Sequence, residues 1–222
     1  IALIQRAIAL KKDPTGPQTA ELMRLQTMVL IFEKTSTRTR TSFEVACAHF
    51  GGSSIFLSPA DSQMSRGESV SDTARIVSRM ADLIVMRTSE HSRICTMAEY
   101  SSVPVINALS EDFHPCQLLA DLQTFFEHRG NIQNARAAFV VDGSSNVCQS
   151  WINASDMMDF ELRIGAPAGY HPQRALVETA ANRCNDTTSA QEADSDVALE
   201  ITDTWTGMGQ EKAKTQVRRR RG

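Results

Sequence analysis

The chain lacks most of the features that assign a protein at a glance. No apolar run approaches the roughly 20 residues that cross a bilayer, so a membrane-spanning role is not expected. The five cysteines, Cys47, Cys95, Cys116, Cys148 and Cys184, are scattered, odd in number and nowhere spaced C-x-x-C. That argues against a disulfide framework and against a zinc site, and for a reducing compartment. A net charge of −3 gives no general attraction to nucleic acid or to an anionic membrane surface. The single basic block, Arg218 to Arg221, reads as a solvated, frayed terminus. There is no G-x-G-x-x-G, and the isolated Gly143 is weak evidence for a dinucleotide loop. No internal repeat is visible.

What is present is an ordinary globular composition, 41% apolar and 22% charged, over 222 residues. That length fits one large domain or two small ones. The first residues are not a signal peptide, because apolar side chains at positions 1, 3, 4, 7, 8 and 10 continue as an amphipathic helix. Beyond them apolar strand candidates (28–32, 54–57, 82–86, 103–106, 137–141, 161–165, 197–202) alternate with helical patterns (37–50, 69–80, 91–100, 115–128, 146–158, 173–183). This alternation predicts an α/β fold of βαβ units, with doubly wound parallel sheets covered by helices on both faces. Residues 184–196 are polar and without pattern, and are expected to form a loop. A helix closing at Gly130 before a fresh strand predicts a boundary there, dividing the chain into 1–130 and 131–222.

The most informative segment is Ser36-Thr37-Arg38-Thr39-Arg40, between the apolar run Met28–Phe32 and a helical stretch ending at Gly51-Gly52. A strand that stops at a hydroxyl- and arginine-rich turn and then starts a helix directs several backbone N–H groups at one point. The helix dipole adds positive potential there. Hydroxyls and forked guanidinium groups suit phosphate oxygens. A serine N-cap followed by exposed arginines fits the same residues. Other chemistry-bearing residues also fall at predicted strand ends, where ligands bind in such sheets. They include Arg87 in Met86-Arg87-Thr88, His114 and Gln117 in Phe113-His114-Pro115-Cys116-Gln117, and Asn146 after Val141-Asp142-Gly143-Ser144-Ser145. Asp72 and Arg75, three apart on a helix, read as a structural ion pair.

These motifs, with Ser62-Gln63-Met64-Ser65-Arg66-Gly67-Glu68-Ser69 and Asp203-Thr204-Trp205-Thr206-Gly207-Met208-Gly209, occur in an order that resembles the aspartate/ornithine carbamoyltransferase family, on its ornithine branch. The resemblance runs from about Met28 to Pro172 and resumes at Asp203. It implies two α/β domains, a carbamoyl-phosphate-binding one and an ornithine-binding one, with the active site in the cleft between them. It implies transfer of a carbamoyl group from carbamoyl phosphate to ornithine, giving citrulline, without metal or organic cofactor. Residue by residue, it implies that Ser36, Thr37, Arg38, Thr39 and Arg40 form the phosphate loop. Arg87, His114 and Thr39 would surround the carbonyl oxygen, and Gln117 would hold the carbamoyl nitrogen. Gln63 would reach the phosphate of a neighbouring subunit in a homotrimer. Asn146, Asp203, Gly207 and Met208 would contact ornithine. A cytoplasmic enzyme is expected, or a mitochondrial-matrix one in a eukaryote, with no nucleic-acid or membrane partner.

The match has departures. Gly207 stands where serine is usual, and Val141 and Ser145 replace residues commonly glycine and asparagine. The family's His-Cys-Leu-Pro segment is absent, and the links at Leu25-Gln26-Thr27 and Ala198-Leu199-Glu200 are short. The chain is therefore expected to be incomplete at both ends and to omit internal segments. Ending at Gly222, it is expected to bind carbamoyl phosphate and turn over poorly. Putrescine or aspartate as acceptor, or a non-catalytic phosphate-binding homologue, are the alternatives.

Overall fold

The computed structural model describes residues 1–60, 62–180 and 183–203. Two compact units divide between Ser110 and Glu111. The boundary read from sequence lies instead near Gly130, at the end of a helix that here groups with the second unit.

The first unit opens with helix α1 (Ala2–Lys12) and continues with β1 (Thr27–Phe32), α2 (Thr37–His49) and β2 (Ser53–Leu57). A 3₁₀ turn at Gln63–Arg66 leads into α3 (Val70–Val77), β3 (Leu83–Arg87), α4 (His91–Tyr100) and β4 (Val105–Leu109). All four strands run parallel in the order β2-β1-β3-β4. Strand β1 is central, and its sequence Met-Val-Leu-Ile-Phe is apolar on both faces, as a doubly covered parallel strand requires. Its side chains alternate with period two between two cores. Val29 and Ile31 pack with Ala74 of α3 and with Ile94 and Met97 of α4. Met28, Leu30 and Phe32 pack with Phe43 and Cys47 of α2. Leu30 is wholly buried, so truncation to alanine costs about 2–5 kcal/mol. The expected ion pair is present, with Arg75 Nη1 2.9 Å from Asp72 Oδ1 and its guanidinium over the Tyr100 ring.

The second unit contains α5 (Pro115–Arg129), β5 (Arg136–Val140), α6 (Asn146–Met158), β6 (Glu161–Gly165), α7 (Arg174–Thr179), β7 (Cys184–Thr187), α8 (Ala190–Ala193) and β8 (Leu199–Thr202). Its four strands are parallel in the order β7-β6-β5-β8. Helix α6 is its structural centre. Cys148, Trp151 and Ile152 are fully buried, and Trp151 meets Phe160 edge to face at 5.9 Å. The loop expected over 184–196 is corrected: it contains β7 and α8. Cys-Asn-Asp-Thr carries little strand propensity, and the strand exists because its backbone pairs with β6, Leu162 opposite Cys184 and Gly165 opposite Thr187.

In each sheet the chain runs outward on one side of its first strand and then returns to the other side. The strand order reverses between β1 and β3 in the first sheet and between β5 and β8 in the second. At such a switch the loops leave in opposite directions and open a crevice at the carboxyl ends, where ligands bind in open α/β sheets.

Candidate functional site

The first switch carries the hydroxyl- and arginine-rich turn. Phe32, the last residue of β1, pairs with Arg87, the last of β3. Ser36 is the N-cap of α2, in extended conformation, and its hydroxyl makes no capping bond. Arg40 N–H is the first amide to bond back, to Ser36 O at 3.2 Å. The amides of Thr37, Arg38 and Thr39 precede it in the turn whose N–H groups a helix leaves without intrahelical acceptors. Arg87 Nη1 donates to Thr39 Oγ1 at 3.0 Å. Burial, and secondarily the charge of Arg38, lower the Arg87 pKa from its ordinary value. A guanidinium stays charged regardless, so the shift measures an electropositive point that an anion would relieve. Arg40 is turned to a different task. Its Nε donates to Glu44 at 3.0 Å and its guanidinium lies 3.7 Å from the Phe56 ring centroid.

Three side chains that sequence reading passed over hold this corner together. Glu33 N–H donates to Arg87 O at 2.9 Å. The Glu33 carboxylate accepts from the Thr88 hydroxyl and, at 2.8 Å, from Arg93 Nε, with Arg93 Nη2 at 2.7 Å. Thr88 is wholly buried. The exit of β1, the exit of β3 and the first turn of α4 are thereby tied to one carboxylate, three residues before Ser36. A carboxylate at the end of an otherwise apolar strand was the available signal, since such a charge requires a partner. Beside the network lies a cavity of about 300 Å³, lined among others by Leu57, Ser62, Met64 and the Glu33–Arg93 pair. Gln63, the first residue of the 3₁₀ turn, is exposed.

In the second unit, His114 caps α5, with Pro115 at the first helical position. Its Nδ1 accepts from Gln117 N–H at a long 3.4 Å. An accepting Nδ1 places the proton of the neutral ring on Nε2, which becomes a donor. His114 N–H donates to Ser150 Oγ at 2.8 Å, and Ser150 Oγ–H donates to Asn146 O at 2.7 Å. Ser150 therefore joins the start of α5 to the start of α6, a link that no spacing in the sequence reveals. Asn146 opens α6 after a turn built on buried Asp142, which accepts from Ser144 N–H at 2.9 Å and from its hydroxyl at 2.6 Å.

Two backbone positions constrain that turn. Val141 has φ +132°, a region that costs a β-branched residue about 1–3 kcal/mol. This is the position where the resemblance leads one to expect glycine. A Cβ on Gly143 would come within 2.9 Å of both Pro172 and Tyr170 O, so only glycine fits. Asp203 directly follows β8, whose Thr202 pairs with Val140 of β5, so Asn146 and Asp203 flank the second switch. Gly207 and Met208 lie outside the described residues.

Among the predicted residues, Thr39, Arg38 and Arg87 are thus brought together in the first unit, with Ser36 and Thr37 on the same turn. His114, Gln117 and Asn146 are brought together in the second. No helix among the described residues is long and apolar enough to cross a membrane.

Comparison with known proteins agrees with this geometry. Residues 1–127 match the family model of the aspartate/ornithine carbamoyltransferase carbamoyl-P binding domain, and residues 133–221 that of the Asp/Orn binding domain. The ornithine carbamoyltransferase of Nitrosococcus oceani is 49% identical over 212 residues, 96% of this chain and 69% of that protein. That of Methylococcus capsulatus is 49% identical over 217 residues, 97% of this chain and 71% of that protein. Among solved structures, the anabolic ornithine carbamoyltransferase from Campylobacter jejuni superposes with a TM-score of 0.87 at 40% identity, covering 97% of this chain and 72% of that one.

Proposed function

The chain belongs to the aspartate/ornithine carbamoyltransferase family, and from that premise we propose that it transfers the carbamoyl group of carbamoyl phosphate to the side-chain amine of ornithine, giving citrulline and phosphate. The observation that carries this reading is the convergence of the α2 N-terminus, Arg38 and the desolvated Arg87 at the β1/β3 switch.

The roles follow from the donors each residue offers. Ser36, Thr37, Arg38 and the first amides of α2 hold the phosphate dianion. Arg40, braced by Glu44 and Phe56, supports the turn from its far side. The carbonyl oxygen receives Arg87, the Thr39 hydroxyl and His114 Nε2–H, donors whose bonds strengthen as that oxygen gains negative charge. Gln117 takes the carbamoyl NH₂. The neutral amine attacks the carbonyl carbon, the C–O bond to phosphate breaks, and the amine proton leaves with solvent or phosphate. No covalent intermediate on the protein is needed, so positioning and charge stabilisation supply the rate. Asn146 holds the α-substituents of the amino acid. The Asp203 carboxylate favours a cationic side chain over an anionic one, and Gly207 and Met208 complete that pocket.

Gln63 serves a neighbouring subunit's phosphate in a homotrimer, which accords with its exposure on the 3₁₀ turn. The division of labour falls near Gly130, a reading supported by the limits of the two matching family models at 127 and 133. The enzyme works in the cytoplasm, or in the mitochondrial matrix of a eukaryote. Isothermal titration with carbamoyl phosphate, followed by a citrulline assay with ornithine, tests the proposal. Heat of binding together with citrulline is expected. Binding without citrulline would make the chain a phosphate-binding homologue, and no binding would overturn the reading of the turn.

A further inference from the structure

We infer that Asp121 is a positioning residue that turns the Gln117 side chain so that its oxygen, and not its nitrogen, is offered to the carbamoyl group. The inference rests on the reading of Gln117 as the residue that takes the carbamoyl NH₂, and it supplies what that reading lacks.

A carboxamide presents two nearly isosteric ends, one a pure acceptor and the other a pure donor. The carbamoyl NH₂ is itself a donor. A Gln117 in one flip stabilises it, and in the other flip sets N–H against N–H. Nothing in the covalent structure of glutamine chooses between them, so a neighbour must. Gln117 and Asp121 lie four residues apart on α5, on one face of the helix. Gln117 Nε2 donates to Asp121 Oδ1 at 2.8 Å. An ionised carboxylate only accepts, so the opposite flip would place oxygen against oxygen. The bond therefore commits the nitrogen to Asp121 and leaves the Gln117 oxygen as the acceptor. The main chain of the same residue is held as well, through Gln117 N–H to His114 Nδ1 at 3.4 Å. Gln117 is thus tied at its backbone to the residue that faces the carbonyl oxygen and at its tip to Asp121.

Glutamine–carboxylate pairs at this spacing also occur as plain surface contacts. Gln123 Nε2 donates to Glu127 Oε1 at 3.2 Å further along the same helix. Asp121 differs in its surroundings. Burial pushes its carboxyl above the usual range, the Gln117 bond pulls it down, and the charge of Asp203 pushes it up. It is a half-desolvated carboxylate facing Asp203, the residue proposed to receive the amine, and a bond to such a group is less screened than one on open surface.

The test compares Asp121→Ala, Asp121→Asn, Gln117→Ala and the double variant Gln117→Ala/Asp121→Ala in the full-length protein. Asp121→Ala lets the Gln117 tip turn over and should lower kcat by roughly tenfold, the scale of one misdirected charge-assisted bond. Inhibition by inorganic phosphate, which has no carbamoyl group to orient, should keep its inhibition constant. Asp121→Asn retains an oxygen that can accept from Nε2 and should recover most of the loss. In the double variant the second substitution should add nothing to Gln117→Ala, because the orienting group has no amide left to orient. Additive losses, a weakened phosphate inhibition in Asp121→Ala, or full turnover of Asp121→Ala beside an impaired Gln117→Ala would each overturn the inference and leave the role of Gln117 standing. Full turnover of Gln117→Ala would overturn the role of Gln117 itself, and the inference with it.

Discussion

Replacing Glu33 by alanine should damage the protein in two separable ways. The substitution removes the carboxylate that accepts from Thr88 and Arg93. Thr88 is 0% exposed, so its hydroxyl would be left buried without its acceptor, at a cost of about 1–3 kcal/mol. Arg93 keeps 31% of its side-chain surface in water, and losing an ion pair of that exposure costs up to about 1 kcal/mol. The sum, about 2–4 kcal/mol, corresponds to a fall in melting temperature of roughly 4–16 °C at 2–4 °C per kcal/mol for a chain of this size. The second effect is functional. Arg87 is fixed relative to the phosphate turn by the Glu33 carboxylate on Thr88 and by its own bond to Thr39. With the first restraint gone, carbamoyl phosphate should bind more weakly at temperatures where the variant is still fully folded. Glu33→Gln keeps one acceptor oxygen, enough for Thr88 or Arg93 but not both, and should lie between parent and alanine variant in both measurements. Differential scanning calorimetry and isothermal titration with carbamoyl phosphate provide the readouts. A Glu33→Ala variant that melts with the parent and binds as well would show that the network holds nothing in place.

Arg38→Ala removes a forked donor from the phosphate turn and should weaken phosphate and carbamoyl phosphate alike, by about 2–4 kcal/mol in titration calorimetry; unchanged binding of phosphate would show that the turn is not an anion site. His114→Ala should reduce turnover by about 10²–10³ while leaving phosphate inhibition nearly intact, and full turnover would reduce His114 to a helix cap. Burial, with help from the charge of Asp186, holds the Cys184 thiol up at about 12, against 9.0 when unhindered. The folded chain therefore keeps a proton there that the unfolded chain gives up, so the stabilisation is complete below pH 9.0 and disappears as pH climbs toward about 12. Urea midpoints should fall between neutral and strongly alkaline pH, and fall less in Cys184→Ala; parallel profiles for the two would contradict the assignment.

Much of this was legible in the chain, for physical reasons that can be named. Strand β1 shows itself because Met28–Phe32 is apolar on both faces and is followed by a turn rich in hydroxyl and guanidinium groups. Strand β7 does not, because Asn185, Asp186 and Thr187 carry no apolar alternation and owe their conformation to the edge of β6. The Arg87–Thr39 bond joins residues 48 apart, a proximity set by the β1–β3 register and not by any local pattern. Gly130 truly ends a helix, but a helix end says where the backbone stops turning and not which neighbour the helix packs against. Helix α5 accordingly reads as the close of the first half, whereas the compact units part at Ser110. The Gln117–Asp121 spacing was visible as i, i+4, yet its meaning depends on desolvation, which only the folded chain supplies.

The most direct test of the account is a competition among carbamoyl acceptors with carbamoyl phosphate as donor and the full-length protein as catalyst. Ornithine, aspartate and putrescine would be compared by the ratio of their kcat/KM values. Asp203 and Asn146 predict that ornithine exceeds aspartate by a wide margin and exceeds putrescine by a smaller one. They also predict that the rate with ornithine rises with pH toward the ionisation of its side-chain amine, because only the neutral amine attacks. A preference for aspartate or putrescine, or a rate indifferent to amine ionisation, would contradict the assignment.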